Sequence, residues 1–349
     1  MSYGVGVIGC GIRGQHSYEW ALQAHPACHV VAVSQYPDIT PELLEGKDPE
    51  SYGQQYAQKL GAHWCGSVCE LLARDDVQIV SLMCEPKAAP ELVEACCAAG
   101  KHIVRDKPMC LDLAGADRIV AAVEGAGVEM LVTLWPRFAP SLQAVREALL
   151  QGRVGEVVAA HFTWLWPGGP LQGFTATEGY LRAVGGGELT NFGHYVVDTL
   201  LWLIGQPVVE VCARTHSLFY PDYQAVGMED IAWVRMAFAG GVQATLITGR
   251  TPLRDRPPEH FRLQLTGSKS RVECTAPDGG MLVLGNDSVA APSGRPAVEA
   301  MIAAFVDALQ SGRPSPIGAR DGREVLRVLK SAYASAQADG TPVRCEDNL

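Results

Sequence analysis

The segment GGGELTNFGHYVVD, residues 185–198, places four hydrogen-bonding side chains directly after three consecutive glycines. Asn191, His194, Tyr195 and Asp198 follow a spacing of three or four residues, which brings side chains onto one face of a helix. An amide, an imidazole, a phenol and a carboxylate can together hold a small polar molecule and move a proton. Buried polar residues can also simply satisfy one another, so the other motifs must decide between a catalytic and a structural cluster.

A glycine-rich turn lies near the N-terminus, where the apolar run VGVIG is followed by a helix-like segment. Glycines at such a turn let the backbone approach a pyrophosphate, which then lies at the N-terminus of the helix. The position of the turn within a strand-turn-helix-strand unit predicts dinucleotide binding. The residues predicted to bind it are Gly9, Gly11, Ile12, Arg13 and Gly14.

The second predicted strand, HVVAVS, ends at Ser34 and is followed by Gln35, where many dinucleotide sites carry a carboxylate for the adenosine ribose. We expect Ser34 and Gln35 to contact the cofactor, because an amide can still hydrogen-bond a ribose hydroxyl. No lysine or arginine occurs between Arg13 and Lys47 to attract the 2′-phosphate of NADP. The sequence leaves NAD or NADP open and favours NAD.

A charged segment, Arg105-Asp106-Lys107-Pro108, ends the fourth predicted strand. Ligands of doubly wound folds bind at this carboxyl edge of the sheet. A lysine there can hydrogen-bond a substrate hydroxyl and help to move its proton, while the adjacent carboxylate keeps it oriented and charged. Taken alone, the same residues are also typical of a surface salt bridge before a proline turn.

Strand-like and helix-like segments alternate over the first 130 residues, which predicts a parallel sheet covered on both faces. After Trp135 long strands dominate, and Gly240-Gly241 between two of them predicts a hairpin. Two helical segments close the chain. The predicted fold class is therefore α/β, with a dinucleotide-binding domain over 1–131. An α+β domain with a large, mostly antiparallel open sheet follows over 132–349.

The composition excludes several classes of function. A formal net charge of −10 over 349 residues argues against sequence-independent binding to nucleic acid or to anionic membranes. The chain has no apolar run long enough to span a bilayer, and its N-terminus lacks the features of a signal peptide. We therefore expect a cytoplasmic protein.

The 11 cysteines are scattered, which favours reduced thiols. The best candidates for a metal site are His63, Cys65 and Cys69, but no second ligand pair follows at zinc-site spacing. We therefore expect no bound metal.

The glycine-rich turn, the acid-Lys-Pro motif near residue 107 and GGG-x-L followed by a polar helix face together resemble the Gfo/Idh/MocA family of oxidoreductases. The resemblance covers nearly the whole chain, including GRVGEVVAAHF and GREVLRVLKSAYASA. It implies a Rossmann domain and a substrate domain whose open sheet forms homodimers or homotetramers. It also implies hydride transfer between a nicotinamide and a carbon-oxygen bond of a sugar or cyclic polyol.

The resemblance assigns roles to the first and third motifs. Asp106-Lys107-Pro108 matches the family's Glu-Lys-Pro, whose acid contacts the cofactor site and whose lysine touches the reacting hydroxyl. Counted from Gly193, Tyr195 stands where the family has a catalytic histidine, and His194 falls one residue early. Tyr195 is therefore the main candidate for proton transfer, because the pKa of a phenol falls beside a cationic lysine.

The remaining polar residues of the segment have supporting roles in this interpretation. His194 is the alternative proton-transfer residue. Asn191 takes the place of an aspartate and would position a substrate hydroxyl without titrating. Asp198, four residues after His194, is expected to orient or neutralise the imidazole.

Other candidate residues come from departures from the family pattern and from its substrate side. Glu85-Pro86 stands where the family has Thr-Pro, and we expect Glu85 to accept ribose hydroxyls near the nicotinamide or to be a surface carboxylate. Trp164 shares a strand face with Trp166, which predicts stacking on a sugar ring, packing of the sheet or a subunit interface. Further candidates for substrate binding are Trp135, Arg137 and Arg182.

Three functions remain compatible with the sequence. The first is a dehydrogenase with an exchangeable cofactor. The second is an enzyme that holds NAD tightly and oxidises a sugar transiently, so that a group is eliminated and water is added. The third is a non-catalytic dinucleotide-binding regulator, against which the retained Lys107 and Tyr195 argue.

Overall fold

The computed structural model describes residues 2–11, 18–37, 39–44, 46–168, 185–252, 260–294 and 296–345. The chain divides into two compact units. The first is built mainly from residues up to Thr133 and from Val298–Glu324, and the second mainly from the rest of the chain after Leu134.

The first unit contains a six-stranded parallel sheet with the order β3-β2-β1-β4-β5-β6. This confirms the predicted parallel sheet. The sequence did not predict the strand at His63–Trp64, because two residues are too few to show an apolar pattern. The strands are β1 (Tyr3–Ile8), β2 (Cys28–Ser34), β3 (His63–Trp64), β4 (Ile79–Leu82), β5 (His102–Arg105) and β6 (Met130–Val132).

Helices connect these strands, and their ends follow local capping chemistry. Asp48, Ser67 and Asp112 each accept a hydrogen bond from a backbone N–H in the first turn of the following helix, which satisfies a donor that the helix leaves open. Pro41–Leu44 forms a single 3-10 turn. The helices are α1 (Tyr18–Ala24), α2 (Pro49–Leu60), α3 (Val68–Leu72), α4 (Ala89–Ala98) and α5 (Leu113–Ala126).

The second unit contains a nine-stranded sheet with the order β14-β13-β12-β11-β7-β10-β9-β8-β15. Among the described strands of this second sheet, only β7 and β10 pair in parallel. The predicted mostly antiparallel sheet is therefore confirmed. The predicted hairpin at Gly240-Gly241 joins two of them. The strands are β7 (Val157–Pro167), β8 (Val208–His216), β9 (Ile231–Phe238), β10 (Gln243–Thr251), β11 (His260–Gly267), β12 (Arg271–Cys274), β13 (Met281–Leu284), β14 (Asp287–Ala290) and β15 (Val343–Arg344).

Side chains alternate across this sheet. Ala160, Phe162 and Trp164 of β7 are buried, and the helix that carries the polar segment contacts β7 and β10. Trp233 of β9 is 36% exposed. The helices of this unit are α6 (Pro140–Leu150), α7 (Glu188–Ile204) and α8 (Pro221–Ala225). The predicted self-association of the open sheet stays a prediction.

The last two helices are α9 (Ala297–Ser311) and α10 (Ala319–Gln337). Most of α9 and the start of α10 belong to the first unit, whereas the sequence placed every residue after 131 in the second domain. The reason is a set of non-local contacts: Val132 N–H donates to the carbonyl of Ile317, at 3.0 Å, and Ser315 N–H to the Glu129 carboxylate, at 2.7 Å. Local sequence patterns cannot report such a return of the chain.

No described helix has the length and apolar character required to cross a membrane. All 11 cysteines lie within the described residues, and each is a free thiol.

Candidate active site

The glycine-rich turn follows β1 and is held by its neighbours. Gly9 has a φ of +99°, and a Cβ there would lie 2.4 Å from the carbonyl oxygen of Met83, so the fold itself requires glycine. At Gly11 the nearest atom to a Cβ is Ile39 Cδ1, at 3.8 Å, which is an ordinary contact. Packing among the described residues therefore does not require glycine at position 11, and its predicted contact with the cofactor stays a prediction.

Two polar side chains at the end of β2 have unused hydrogen-bonding capacity. Gln35 Oε1 accepts from the backbone N–H of Cys10, at 2.9 Å. Gln35 Nε2 and Ser34 Oγ are buried and have no partner within the part of the chain that the structure describes. A hydroxyl and an amide N–H beside a glycine turn are suited to the hydroxyls of a nucleotide ribose, so these residues fit a dinucleotide. Ile12, Arg13 and Gly14 lie outside the described residues, and their predicted contacts stay predictions.

Glu85 follows β4 and is only 3% exposed. Its Oε2 accepts from Tyr36 Oη, at 3.1 Å, and from Thr40 N–H, at 2.8 Å. Its Oε1 accepts from Thr40 Oγ1, at 2.5 Å, and lies 3.3 Å from Lys87 Nζ. The carboxylate is therefore engaged by the segment after β2, and it is not the surface carboxylate that the sequence allowed. Its predicted contact with ribose hydroxyls stays a prediction, as does that of Pro86.

The segment that carries Lys107 is fixed through the main chain. The Arg105 guanidinium, 1% exposed, donates to the carbonyls of Met109, Leu82, Cys84 and Pro108 at 2.9–3.3 Å. These carbonyls come from the end of β4 and from the turn after β5, so one side chain ties the two together.

The neighbouring acid fixes the same turn. Asp106 Oδ1 accepts from Lys107 N–H, at 2.8 Å, and from Thr133 Oγ1, at 2.9 Å. Asp106 thus orients the backbone of Lys107, and both side chains are half-buried at the carboxyl edge of the sheet.

The glycines before α7 are required by buried neighbours in the second unit. Gly186 has a φ of +130°, and a Cβ on Gly187 would lie 2.4 Å from the backbone oxygen of Glu229. Glu229 Oε1 accepts from Leu189 N–H, at 2.9 Å, and from Tyr333 Oη, at 2.7 Å. Burial raises the pKa of Glu229, while hydrogen bonds such as that from Tyr333 act in the opposite direction. The start of α7 therefore rests on a buried carboxyl group.

A second buried carboxylate, Glu188, begins α7. Its Oε1 accepts from Arg250 Nε, at 2.8 Å, and from the hydroxyl of Tyr223. Its Oε2 accepts from Asn191 Nδ2, at 3.0 Å. The amide of Asn191 is thereby oriented, while its predicted contact with a substrate hydroxyl stays a prediction.

The two candidate proton-transfer residues have different surroundings on α7. His194 is 3% exposed, and its Nδ1 lies 2.5 Å from the carbonyl oxygen of Thr190, so Nδ1 carries the hydrogen. Tyr195 is 9% exposed and lies against the rings of Trp135 and Trp164, at centroid distances of 5.6 and 6.2 Å. The imidazole is tied to its own helix, whereas the phenol is set among aromatic rings.

Asp198 differs from its predicted role beside His194. Its carboxylate accepts two hydrogen bonds from Arg137, at 2.9 and 2.6 Å, and its side chain is fully buried. The guanidinium matches a carboxylate with two parallel bonds, so Arg137 neutralises the charge of Asp198. This pair ties the start of the second unit to α7, and the predicted contacts of Arg137 and Asp198 with substrate stay predictions.

For Trp164 the structure favours packing within the sheet, one of the interpretations that the sequence left open. Its indole is fully buried against Phe162, Phe192 and Phe261, so it offers no surface for stacking on a sugar ring. Trp166 stacks on Phe192 at an interplanar angle of 17°. Trp164 therefore packs against Tyr195, and both tryptophans of this strand face pack against Phe192. Trp135 remains half-buried, and Arg182 lies outside the described residues.

A group of possible metal ligands lies at β3, away from these residues in the sequence. The ligand atoms of His63, Cys65 and Glu70 lie within 4.8 Å of one another. Glu70 also accepts from Gly66 N–H, at 2.9 Å, next to the start of α3. This hydrogen bond gives Glu70 a local structural role, and the absence of a metal stays a prediction.

Several residues that shape these sites were missed from the sequence. Arg105 carried a signal, because a charged residue inside an apolar strand must find buried partners. Glu188 also carried one, since it directly follows the triple glycine. Tyr36, Thr40, Glu229 and Tyr333 carried none, because their partners lie far away in the chain.

The parallel sheet with its glycine turn and the second mixed sheet are typical of a two-domain protein whose first domain has a Rossmann fold. Residues 3–134 match the model of the oxidoreductase family with an NAD-binding Rossmann fold. Residues 142–273 match the GFO/IDH/MocA C-terminal domain. The chain therefore belongs to the GFO/IDH/MocA oxidoreductase family, as the sequence motifs predicted.

Individual relatives are sugar and polyol enzymes. The chain is 30% identical to the 1,5-anhydro-D-fructose reductase of Ensifer adhaerens over 51% of its own length and 52% of that protein. It is 24% identical to the myo-inositol 2-dehydrogenase of Thermotoga maritima over 77% of its length and 80% of that protein. It thus spans only about half of the reductase.

The fold is shared with solved structures. One is the scyllo-inositol dehydrogenase of Lactobacillus casei with bound NAD(H) and scyllo-inositol. The TM-score is 0.80 at 16% identity, over 99% of each chain.

Proposed function

We propose that the protein transfers hydride between the nicotinamide of NAD and a secondary alcohol of a sugar or cyclic polyol. When bound, the cofactor supplies the hydride chemistry. Lys107 hydrogen-bonds the oxygen of the reacting hydroxyl, and Tyr195 accepts its proton during oxidation or returns it during reduction. Asn191 positions a second hydroxyl.

One observation carries this proposal. Lys107 lies at the carboxyl edge of a parallel sheet that also bears the glycine turn, and its backbone is fixed by buried Arg105 and by Asp106. A salt-bridging surface lysine needs no such support. The names of the reductase and dehydrogenase relatives favour a ring-shaped polyhydroxylated substrate.

A second candidate has an observation in its favour. Gly9, Cys10 and Gly11 are buried, and Ile39 and Leu43 of the segment after β2 lie next to Gly11, which is expected of a protein that holds its nucleotide tightly. Tightly held NAD would permit transient oxidation of a sugar followed by elimination and addition of water.

The test compares Lys107→Met and Tyr195→Phe with the wild-type protein on a panel of inositols and aldoses. Removal of a general acid or base lowers turnover about 10²–10⁴-fold, while NAD affinity should hardly change. His194→Ala is the matched variant, because it removes a neighbouring titratable group on the same helix. Full activity in Tyr195→Phe together with loss in His194→Ala would assign the proton transfer to His194. Unchanged turnover in Lys107→Met would rule out the proposed chemistry.

We also propose NAD rather than NADP. Residues 35–44, which follow β2, contain no lysine or arginine, and the neighbouring Lys87 is already paired with Glu85, so we expect a 2′-phosphate to gain no charge partner there. NADP preferred by more than about tenfold, or about 1.4 kcal/mol, in a fluorescence titration would contradict this. Release of nucleotide from denatured protein distinguishes the exchangeable from the tightly held cofactor.

For location and assembly, we propose a cytoplasmic homodimer or homotetramer. The free thiols and the exposed Trp233 on the large sheet favour these states. Light scattering on the purified protein tests the assembly, and a monomeric mass at micromolar concentration would exclude it.

A further inference from the structure

Glu85 makes its contacts across the end of a neighbouring strand. The sheet order places β1 between β2 and β4. Glu85 follows β4, whereas its partners Tyr36 and Thr40 follow β2. The hydrogen bonds that the Glu85 carboxylate accepts therefore span the carboxyl end of β1, where the glycine turn begins.

The chain held by Glu85 covers that turn. We call residues 36, 37 and 39–44 the covering segment. A Cβ at Gly11 would have Ile39 Cδ1 and Leu43 Cβ at 3.8 Å, so these side chains lie directly on the turn. Tyr36 is 3% exposed and Leu44 is 1% exposed, so the segment is packed as a small apolar layer.

Two polar groups beside the turn are buried and unsatisfied. Gln35, whose Oε1 accepts from the N–H of Cys10, and Ser34 have side-chain atoms, Nε2 and Oγ, without a partner among the described residues. Buried polar groups are nearly always hydrogen-bonded, because leaving one unpaired costs free energy. A nucleotide that enters beneath the covering segment can supply partners for both groups.

We propose that Glu85 is a positioning residue that clasps the covering segment over the glycine turn and sets the rate at which the dinucleotide enters and leaves. This inference rests on the proposed function in one respect, that the turn binds a dinucleotide. Because the segment must open for both steps, weakening the clasp accelerates association and dissociation together. The equilibrium affinity then changes much less than either rate.

The clasp has separable parts. Glu85→Gln removes the charge and keeps the size of the side chain. Thr40→Val removes only the hydroxyl that donates to Oε1. Tyr36→Phe removes the hydroxyl that donates to Oε2 and accepts from the Glu85 N–H. Asp48→Asn is the matched control, because Asp48 is an exposed carboxylate close in sequence that caps α2 and makes no contact with Glu85 in the described structure.

The experiment measures NADH association and displacement by stopped-flow fluorescence in the full-length variants. For Glu85→Gln we expect both rate constants to rise about tenfold, which corresponds to about 1.4 kcal/mol in the opening barrier. Tyr36→Phe and Thr40→Val should raise both rates by smaller, similar factors, and Asp48→Asn should match the wild type. The dissociation constant should stay within about threefold throughout.

Other outcomes overturn the inference. Wild-type rates in Glu85→Gln, or a rise in the dissociation rate alone, would show that Glu85 does not gate exchange. If Glu85→Gln fails to fold, Tyr36→Phe and Thr40→Val decide by the same criterion. A wild-type protein that binds neither NADH nor NADPH would instead reject the proposed function, so the two failures are distinguishable.

Discussion

The glycine turn of the first unit and the start of α7 in the second unit are both glycine-rich, but they are held in different ways. In the first unit, single side chains hold main-chain groups in place. Gln35 accepts from the N–H of Cys10 in the glycine turn, and Arg105 donates to four carbonyls at the neighbouring strand ends. At α7, buried side chains pair with one another, as Glu188 does with Arg250 and Asp198 with Arg137. The geometry at α7 therefore depends more strongly on single residues that are far apart in the sequence.

The largest change in stability is expected when the Asp198–Arg137 pair of the second unit is broken. Asp198→Asn removes the charge that matches Arg137 and leaves the guanidinium in a mostly buried site. Loss of one partner of such a pair costs about 3–5 kcal/mol of the free energy of unfolding. The control is Glu94→Gln, which breaks a similar two-bond pair with Arg118 at an exposed position. Exposed pairs contribute little, so its denaturation midpoint should not change. Equal shifts of the denaturation midpoint in both variants would show that the buried pair contributes no more to stability than the exposed one.

Two glycine substitutions test the same comparison between the glycine turn and the start of α7. Gly187→Ala places a methyl group 2.4 Å from the Glu229 backbone oxygen, and overpacking of this kind costs about 1–3 kcal/mol. Gly11→Ala meets only ordinary contacts and should change stability by less than about 0.5 kcal/mol. It should nevertheless weaken NAD binding at least about tenfold, because the pyrophosphate must approach the backbone there. Denaturation curves and NAD titrations separate the two effects, and unaltered affinity in Gly11→Ala would remove the turn from the cofactor site.

The smallest expected effect concerns pH. Burial raises the pKa of Glu19, on α1, to about 8, and its Oε1 accepts a hydrogen bond from Ser81 Oγ, at 3.0 Å. Between the ordinary pKa of 4.5 and 8 the folded state binds more protons than the unfolded state, so stability falls as pH rises through this window. Glu19→Gln lacks this dependence and should lose less stability from pH 5 to pH 8, by at least about 1.4 kcal/mol. Parallel stability profiles for variant and wild type would show that Glu19 is not protonated in the folded protein.

Much of this molecule could be read from local patterns. Apolar runs alternating with helical segments predicted the parallel sheet, and Gly240-Gly241 predicted a hairpin. The motifs around Gly9, Lys107 and Gly193 predicted the family. These features depend on residues close in sequence, so periodicity and turn chemistry suffice.

The tertiary structure alone decided how the candidate side chains are used. The sequence left open whether Trp164 stacks on a substrate or packs in the sheet, and the structure buries it. Asp198 was expected beside His194, and its carboxylate pairs with Arg137, 61 residues away. Glu85 contacts Thr40, 45 residues earlier, and Tyr333 contacts Glu229, 104 residues earlier. Hydrogen bonds and burial depend on which strands and helices become neighbours, and a single sequence carries no local signal of that choice.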